Sequence, residues 1–490
     1  MFNDLHIADD PTTVALLGLI ALFAGLPGIL LALWRISRPP LGAASFRLLY
    51  LAWACVLAGA SVWSLTRDPL LGADEVGANN FIRLGFLSVG VLLILLVGAR
   101  YRFVFVRELG AGVLGVFSVF ALWGLASTVW SVSPIGTLFK ATEYCAMLAL
   151  FALAASLIST SFTAPRHQLL ALKSVFDWHW FLLFLMVMSV YVGVIVFPEY
   201  AILRSYRDQT GMLGFSLQGV LPGLSANAVG TLGAMTGIVA FVRILLKPGS
   251  RVFWAPLLLI SVITMVLTQS RSPILGFVVA VGAVLLLNRR FGLLAMAGSL
   301  TGVALLSQQY IQPVVYEFMK RGQNEQNLTS LTGRVPYWQA AFDAIIEKPL
   351  TGYGANVGGR HVLDAALGEA ASTVHSSFVE VLLDTGVVGL VLLVGGLVMT
   401  WLMMFKIRPH VMNNPISSLL WFESLGVLTV LSVRSLFAVT LVWSWYVVNL
   451  GVVLVFVSVA RRHVVRARHE GVAFAQLLSA AGRRRSSIRQ

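Results

Sequence analysis

Apolar runs of about twenty residues recur along the chain, parted by short polar connections. Each run is long enough to cross roughly 30 Å of hydrocarbon as a helix. Alternating patterns of the kind that build barrel strands are not seen. Backbone groups in lipid must bond within their own segment, so the pattern predicts an all-α polytopic transmembrane helix bundle of about 12–13 spans. The expected spans lie near 14–34, 46–63, 84–99, 110–131, 138–159, 177–197, 225–243, 252–269, 273–288, 291–307, 386–405, 417–433 and 436–459. They divide the chain into a bundle of about ten spans over 1–307, a long connection over 308–385, further spans over 386–459 and a tail over 460–490.

Composition fits this reading. The 490 residues are 58% hydrophobic and 11% charged, where soluble chains carry about 25% charge. The leader "MFNDLHIADD" places acids where a cleaved signal needs positive charge, so the first run is expected to stay. Cys55 and Cys145 fall in separate spans and predict no disulfide framework.

A net charge of +14 raises the question of nucleic acid, and the positions of the charges answer it. Arg35, Arg38 and Arg47, then Arg100, Arg102 and Arg107, then Arg166 and Lys173, then Arg243, Lys247 and Arg251, then Arg289 and Arg290, then Lys406 and Arg408 occupy alternate connections. Basic connections stay cytoplasmic, so the N-terminus is expected outside and the basic C-terminal tail inside. The charge is topology, with some attraction to anionic membrane lipids, and no nucleic-acid partner is expected.

The outward connections carry the candidate chemistry. The connection over 308–385 is far longer than a turn between helices. Within it, Pro336 to Glu347 has helical periodicity, with Trp338, Phe342 and Ile345 on one face and Gln339, Asp343 and Glu347 on the other. At its end stands "STVHSSFVEVLLDTGVVGL". If 373–384 is helical, His375 shares the apolar face with Phe378, Val379 and Leu382. Thr373, Ser377, Glu380 and Asp384 then point away from the bundle, and Glu380 is badly placed to orient the histidine. A core histidine with a backbone partner is the alternative reading of the same position.

Outward arginines add to it. Arg271 sits in the short turn "TQSRSP", Arg204 and Arg207 precede the seventh span, Arg334 lies in the long connection, and Arg434 in "SVRSL". Arginines at span ends also snorkel to lipid phosphate. Arg271, in a turn of barely four residues, is the one whose address is fixed enough to favour a function. Guanidinium keeps its charge and bonds phosphate through two parallel N–H groups. The outward acids are scattered, with no paired histidines and no aspartate-rich motif, so no metal and no cofactor is expected.

Four pieces, in order, carry a resemblance: "LPGLSANAVG", "TQSRSPILGF", "TGRVPYWQAA" with "PLTGYG", and "VHSSFVEVLLDTGVVGL". Over roughly 200–405 the chain resembles the O-antigen ligase and O-antigen polymerase family of bacterial inner-membrane proteins. It departs from the common pattern at Ser376, where an asparagine is usual. The resemblance implies an inverting, metal-independent membrane glycosyltransferase. Its partners are an undecaprenyl-diphosphate-linked glycan as donor and a lipid or glycan acceptor. It also implies His375 as base and Arg271 and Arg334 as the diphosphate grip. Arg204, Arg207 and Arg434 are further candidates for that anion, and Tyr337, Trp338 and Tyr353 for sugar stacking. For Trp338, packing of the connection onto the bundle is the competing role. A transporter of lipid-linked oligosaccharide is the reading from another class. Such proteins hold their charges at mid-membrane, whereas here they gather at span ends.

Overall fold

The computed structural model describes residues 44–61, 78–203, 215–247, 251–306, 334–367, 373–442 and 445–462. The fold is an all-α polytopic membrane bundle. In chain order its main helices are α1 (Ala44–Ala60), α2 (Ala78–Arg100), α3 (Gly112–Ala126), α4 (Pro134–Ser161), α5 (Pro165–Val196), α6 (Ala226–Leu246), α7 (Arg251–Leu267), α8 (Arg271–Leu287) and α9 (Phe291–Leu306). They continue with α10 (Arg334–Glu347), α11 (Gly358–Leu367), α12 (Ser377–Val411), α13 (Pro415–Ser435) and α14 (447–462). Among the described residues, 7 helices are long and apolar enough to cross a membrane, and α1, α7 and α8 are shorter apolar helices. Expected spans two to twelve each fall on one helix, and the first lies outside the described residues. A two-stranded antiparallel ribbon, Ile202–Leu203 with Ser216–Leu217, is the small departure from an all-helical chain.

Local chemistry sets the helix starts. Proline opens α4, α5 and α13, where its missing N–H costs nothing. The Asn414 side chain caps α13 by accepting from Ile416 N at 2.9 Å and Ser417 N at 3.3 Å. Small residues let helices close in. A side chain at Gly233 of α6 would come within 2.8 Å of the Ser261 carbonyl of α7.

Two expectations need correction. The thirteenth span, 436–459, is not one helix. Residues 436–442 are turns and bends, and α14 begins only at 447. Non-helical backbone at this depth needs partners inside the protein. It finds them at Ser377, whose Oγ donates to the Ala438 carbonyl at 3.0 Å and accepts from Thr440 N at 2.9 Å. The second concerns α10. Its buried face is Ala341, Ala344 and Ile345, while Phe342 is 47% exposed in line with Ile346. The helix therefore shows an apolar stripe outward, at the spacing of one helical face.

The far end of the bundle from the site is closed by a buried ionic network. Arg243 bonds Glu423 through Nε at 2.6 Å and Asp177 through Nη1 at 2.8 Å. Trp180 donates to Glu423 at 2.8 Å, and the guanidinium lies 4.5 Å from the Trp254 ring centre. Buried charges persist when each is paired and bonded in this way.

Candidate functional site

The site is assembled at the end of the bundle where α12 begins. It starts from a break in that helix. Gly386 has φ 68° and ψ −171°, which interrupts the helical ladder. Val387 N turns to the Pro349 carbonyl at 2.8 Å. The carbonyls left without their helical partners are taken up by other segments: Leu383 by Tyr353 N at 3.1 Å, Asp384 by Gly354 N at 2.8 Å, and Thr385 by the Trp123 indole at 2.9 Å. The loop "PLTGYG" is thus pinned beneath the first turns of α12. A side chain at Gly386 would strike the Leu350 backbone. The Asp384 carboxylate accepts from Asn356 N at 2.8 Å and Gly358 N at 3.0 Å, capping α11.

His375 does not lie on a helix. Helix α12 starts at Ser377 after an extended Ser376, and His375 has φ 60°, in the left-handed region. The wheel drawn from residue 373 therefore fails, and Ser377, Glu380 and Asp384 point inward and are buried. The cause is non-local. The Val374 N–H donates to Glu380 Oε2 at 2.8 Å, and its carbonyl accepts from Trp338 Nε1 at 2.9 Å. Both backbone groups of the residue before the histidine are held by side chains, so the helical ladder cannot start there. Glu380 does help place His375, through the backbone.

The His375 ring is half-buried. Its Nδ1 is 3.3 Å from Thr373 Oγ1, and the Tyr337 ring meets it edge-on at 6.1 Å with an 84° interplanar angle. Burial first, and the nearby Arg334 cation second, push its pKa down to about 4. The imidazole is neutral at physiological pH, with Nε2 showing no bond among the described residues.

The guanidiniums approach from three helices. Arg334 is the first residue of α10 and acts electrostatically on both His375 and Arg434. Arg434, in the last turn of α13 and not in a free turn, is 1% exposed. It donates from Nη1 to Ser272 Oγ at 3.0 Å, while its Nε has no acceptor among the described residues. Ser272 follows Arg271, the first residue of α8. Arg271 Nε and Nη2 are buried and likewise have no acceptor among the described residues. Arg271 and Arg334 both open helices, where the macrodipole already presents partial positive charge and disfavours a cation by about 0.3–1 kcal/mol. At Arg271, buried cationic donors on a positive helix end have the chemistry that suits an anion.

The remaining candidates separate. Tyr337 borders His375. Trp338 is a clamp on the backbone. Tyr353 is 7% exposed, and its one hydroxyl proton is shared between two acceptors, the Ala344 carbonyl at 3.1 Å and the Glu347 carboxylate at 2.9 Å. Its ring is committed to packing α10 on the loop, so no face remains for a sugar. Arg204 and Arg207 lie outside the described residues. Ser272 and Gly386 were not singled out from the sequence, and Thr373 and Glu380 were placed on the face away from the histidine. The paired glycines of "TGYG" and the glycine after Asp384 and Thr385 were the available signal for the break. Among the described residues, no group of three His, Cys, Asp or Glu side chains converges to hold a metal ion.

Residues 256–394 match a family described as O-antigen ligase. No curated protein is matched by the chain. The match contains Arg271, Arg334, Tyr337, Trp338, Tyr353 and His375, and leaves Arg434 beyond its end. The segment that supplies most of the site, residues 256–394, is thus similar to the O-antigen ligase family.

Proposed function

We propose that the protein is an inverting, metal-independent membrane glycosyltransferase. It moves a glycan from undecaprenyl diphosphate to a hydroxyl of a lipid-borne or glycan acceptor, as in O-antigen ligation or repeat-unit polymerisation. The observation that carries this reading is Arg271, a guanidinium at the positive end of α8 whose two buried donors have no acceptor among the described residues. Leaving buried donors unbonded costs about 1–3 kcal/mol each, and a diphosphate would satisfy them.

In the reaction, His375 Nε2 takes the proton of the acceptor hydroxyl. The freed oxygen lone pair forms the new bond at the anomeric carbon, on the face opposite the diphosphate. The bond from that carbon to the diphosphate oxygen breaks, and its electron pair leaves on the phosphate. Arg271, Arg334 and Arg434 supply fixed positive charge where this negative charge grows. The site faces the periplasm, and the C-terminus lies in the cytoplasm of a bacterial cell with this protein in its inner membrane. A transporter would need its charges at mid-membrane. The cations that support the present reading stand at helix ends, and one of them, Arg334, acts on His375.

Purified protein, incubated in excess chelator with undecaprenyl-diphosphate-linked glycan and a candidate acceptor, is expected to release undecaprenyl diphosphate and enlarge the acceptor by the mass of the glycan. Activity lost to the chelator and restored by magnesium or manganese would sink the metal-independent mechanism. Transport of the donor without any change of mass would replace transfer altogether.

A further inference from the structure

The base of this site has no carboxylate partner among the described residues. The group that meets the second nitrogen of His375 is a hydroxyl, Thr373 Oγ1, 3.3 Å from Nδ1. Resting on the glycan-transfer reading above, we propose that Thr373 is the positioning residue of the reaction: it accepts from Nδ1–H and so holds the imidazole in the tautomer whose Nε2 lone pair takes the acceptor proton.

The surroundings leave few other ways to orient the ring. Helix α10 contributes the edge of Tyr337, which limits tilt but offers the imidazole no bond in the structure, and the cation Arg334. From α12, Glu380 is spent on Val374 N. Helix α13 contributes Arg434, which is engaged with Ser272 and within electrostatic reach of Arg334. Thr373 and His375 flank Val374, whose N–H and carbonyl are both fixed. The hydroxyl and the ring are therefore presented to each other by one clamped residue. A hydroxyl rotor can donate or accept. Donation to Nδ1 would leave the proton on Nε2 and block the base. Acceptance leaves Nε2 open. The distance is at the long end for such a bond, as orienting bonds commonly are before substrate tightens them.

A neutral acceptor differs from the usual carboxylate in one respect. A carboxylate stabilises the imidazolium formed on proton uptake; a hydroxyl does so far less, and Arg334 opposes it. The proton of the acceptor hydroxyl then moves to Nε2 late, once the bond to the diphosphate has lengthened and negative charge has built up among the arginines. The Nδ1 proton stays in place throughout, and no further reactant is required.

The test uses full-length protein in nanodiscs with nitrogen-15 histidine, His375 being assigned by comparison with His375→Asn. Wild type is expected to carry its proton on Nδ1, and Thr373→Val to lose that single state. In transfer assays Thr373→Val is expected to lower kcat at least tenfold with donor KM unchanged, and Thr373→Ser to restore most of it. Thr373→Asp, which adds the missing carboxylate, is expected to move the acidic limb of the rate profile to higher pH. A wild-type His375 protonated on Nε2, or a Thr373→Val enzyme with normal kcat, overturns the proposal. The tautomer is read without turnover, so a chain that shows it yet transfers no glycan refutes the transferase reading and not the hydrogen bond.

Discussion

Glu380 and Val374 are joined by a 2.8 Å bond from the Val374 N–H to the Glu380 carboxylate, which folds the His375 loop back onto the first turns of α12. Trp338 completes the clamp from α10. Glu380→Gln keeps a carbonyl acceptor for this bond and Glu380→Ala does not. Glu380→Gln is expected to retain most transfer activity. Glu380→Ala is expected to lose at least tenfold in kcat, with donor KM little changed, because the donor's anion is held elsewhere. Equal rates for both variants in a membrane assay would show that the clamp does not set the histidine.

The left-handed backbone of His375 separates two kinds of inactive variant. A β-carbon in this region costs roughly 1–2 kcal/mol, and asparagine tolerates it best among side-chain-bearing residues. His375→Asn is expected to accumulate like wild type and to transfer nothing measurable. His375→Val is expected to be inactive and also less stable, by melting temperature in the same detergent. Near-normal transfer by His375→Asn would return the histidine to a packing role.

Burial and Arg334 both disfavour the imidazolium, so the acidic limb of the pH profile should lie near 4, well below the ordinary value of about 6.5. The neutral base is then fully present from mildly acidic pH upward, and the rate should be flat there. Removing the Arg334 charge relieves one of the two causes, so the pKa rises. Arg334→Gln is expected to be slower at every pH and to have its limb moved upward. Single-turnover rates across pH decide this. A wild-type limb near 6.5, or one unmoved in the variant, contradicts it.

Arg271 is expected to trade stability for function. Arg271→Met removes two buried donors that have no acceptor among the described residues, and replaces a cation at the positive end of α8. Its melting temperature is expected to equal or exceed that of wild type, while its rate falls at least a hundredfold. Arg271→Lys keeps the charge and loses the planar fork. A charge-assisted bond contributes about 1.5–3 kcal/mol, so the lysine variant is expected to lose at least tenfold. Initial rates at matched protein abundance test both, and a fully active lysine variant would assign Arg271 to lipid phosphate.

Gly386→Ala meets two obstacles, a positive φ and the Leu350 backbone. It is expected to be among the most damaging single changes, lowering accumulation in the membrane as well as activity. Gly395, in the same helix but with open space around it, provides the control. Gly395→Ala is expected to be silent, and equal accumulation of the two variants would deny the break its role.

The sequence was most informative where structure is local. Apolar length alone placed α1 to α9, α12 and α13, because a span in lipid needs only its own residues to satisfy its backbone. Arg271 was readable for a similar reason: a short connection leaves its side chain one address. His375 was singled out as a candidate, but its geometry was not foreseen. A helical wheel assumes each N–H bonds four residues back, and at Val374 that rule is overridden by Glu380 and Trp338. The same failure explains 436–442. Hydropathy saw an apolar run, whereas Ser377 draws the chain out of the helix. The approach of Arg334 to Arg434 joins residues far apart in sequence through the packing of α10 and α13, which no periodicity encodes.

The break at Gly386 also bears on modularity. Its carbonyls are satisfied by a loop 30 residues upstream and by an indole from α3, more than 250 residues before it. The segment carrying His375 is thus stitched to the bundle by bonds that exist only when both are present. Excised as a soluble fragment, 334–385 would keep the loop but leave behind the Trp123 and Trp130 indoles, the Ser127 hydroxyl that meets Ala355 N, and Val387 N, and is not expected to hold its shape. Split as two co-expressed halves cut between α9 and α10, the protein retains all of them. Complementation between halves, and silence from the isolated fragment, is the behaviour this architecture predicts: the unit that holds the His375 loop in shape is the assembled membrane domain.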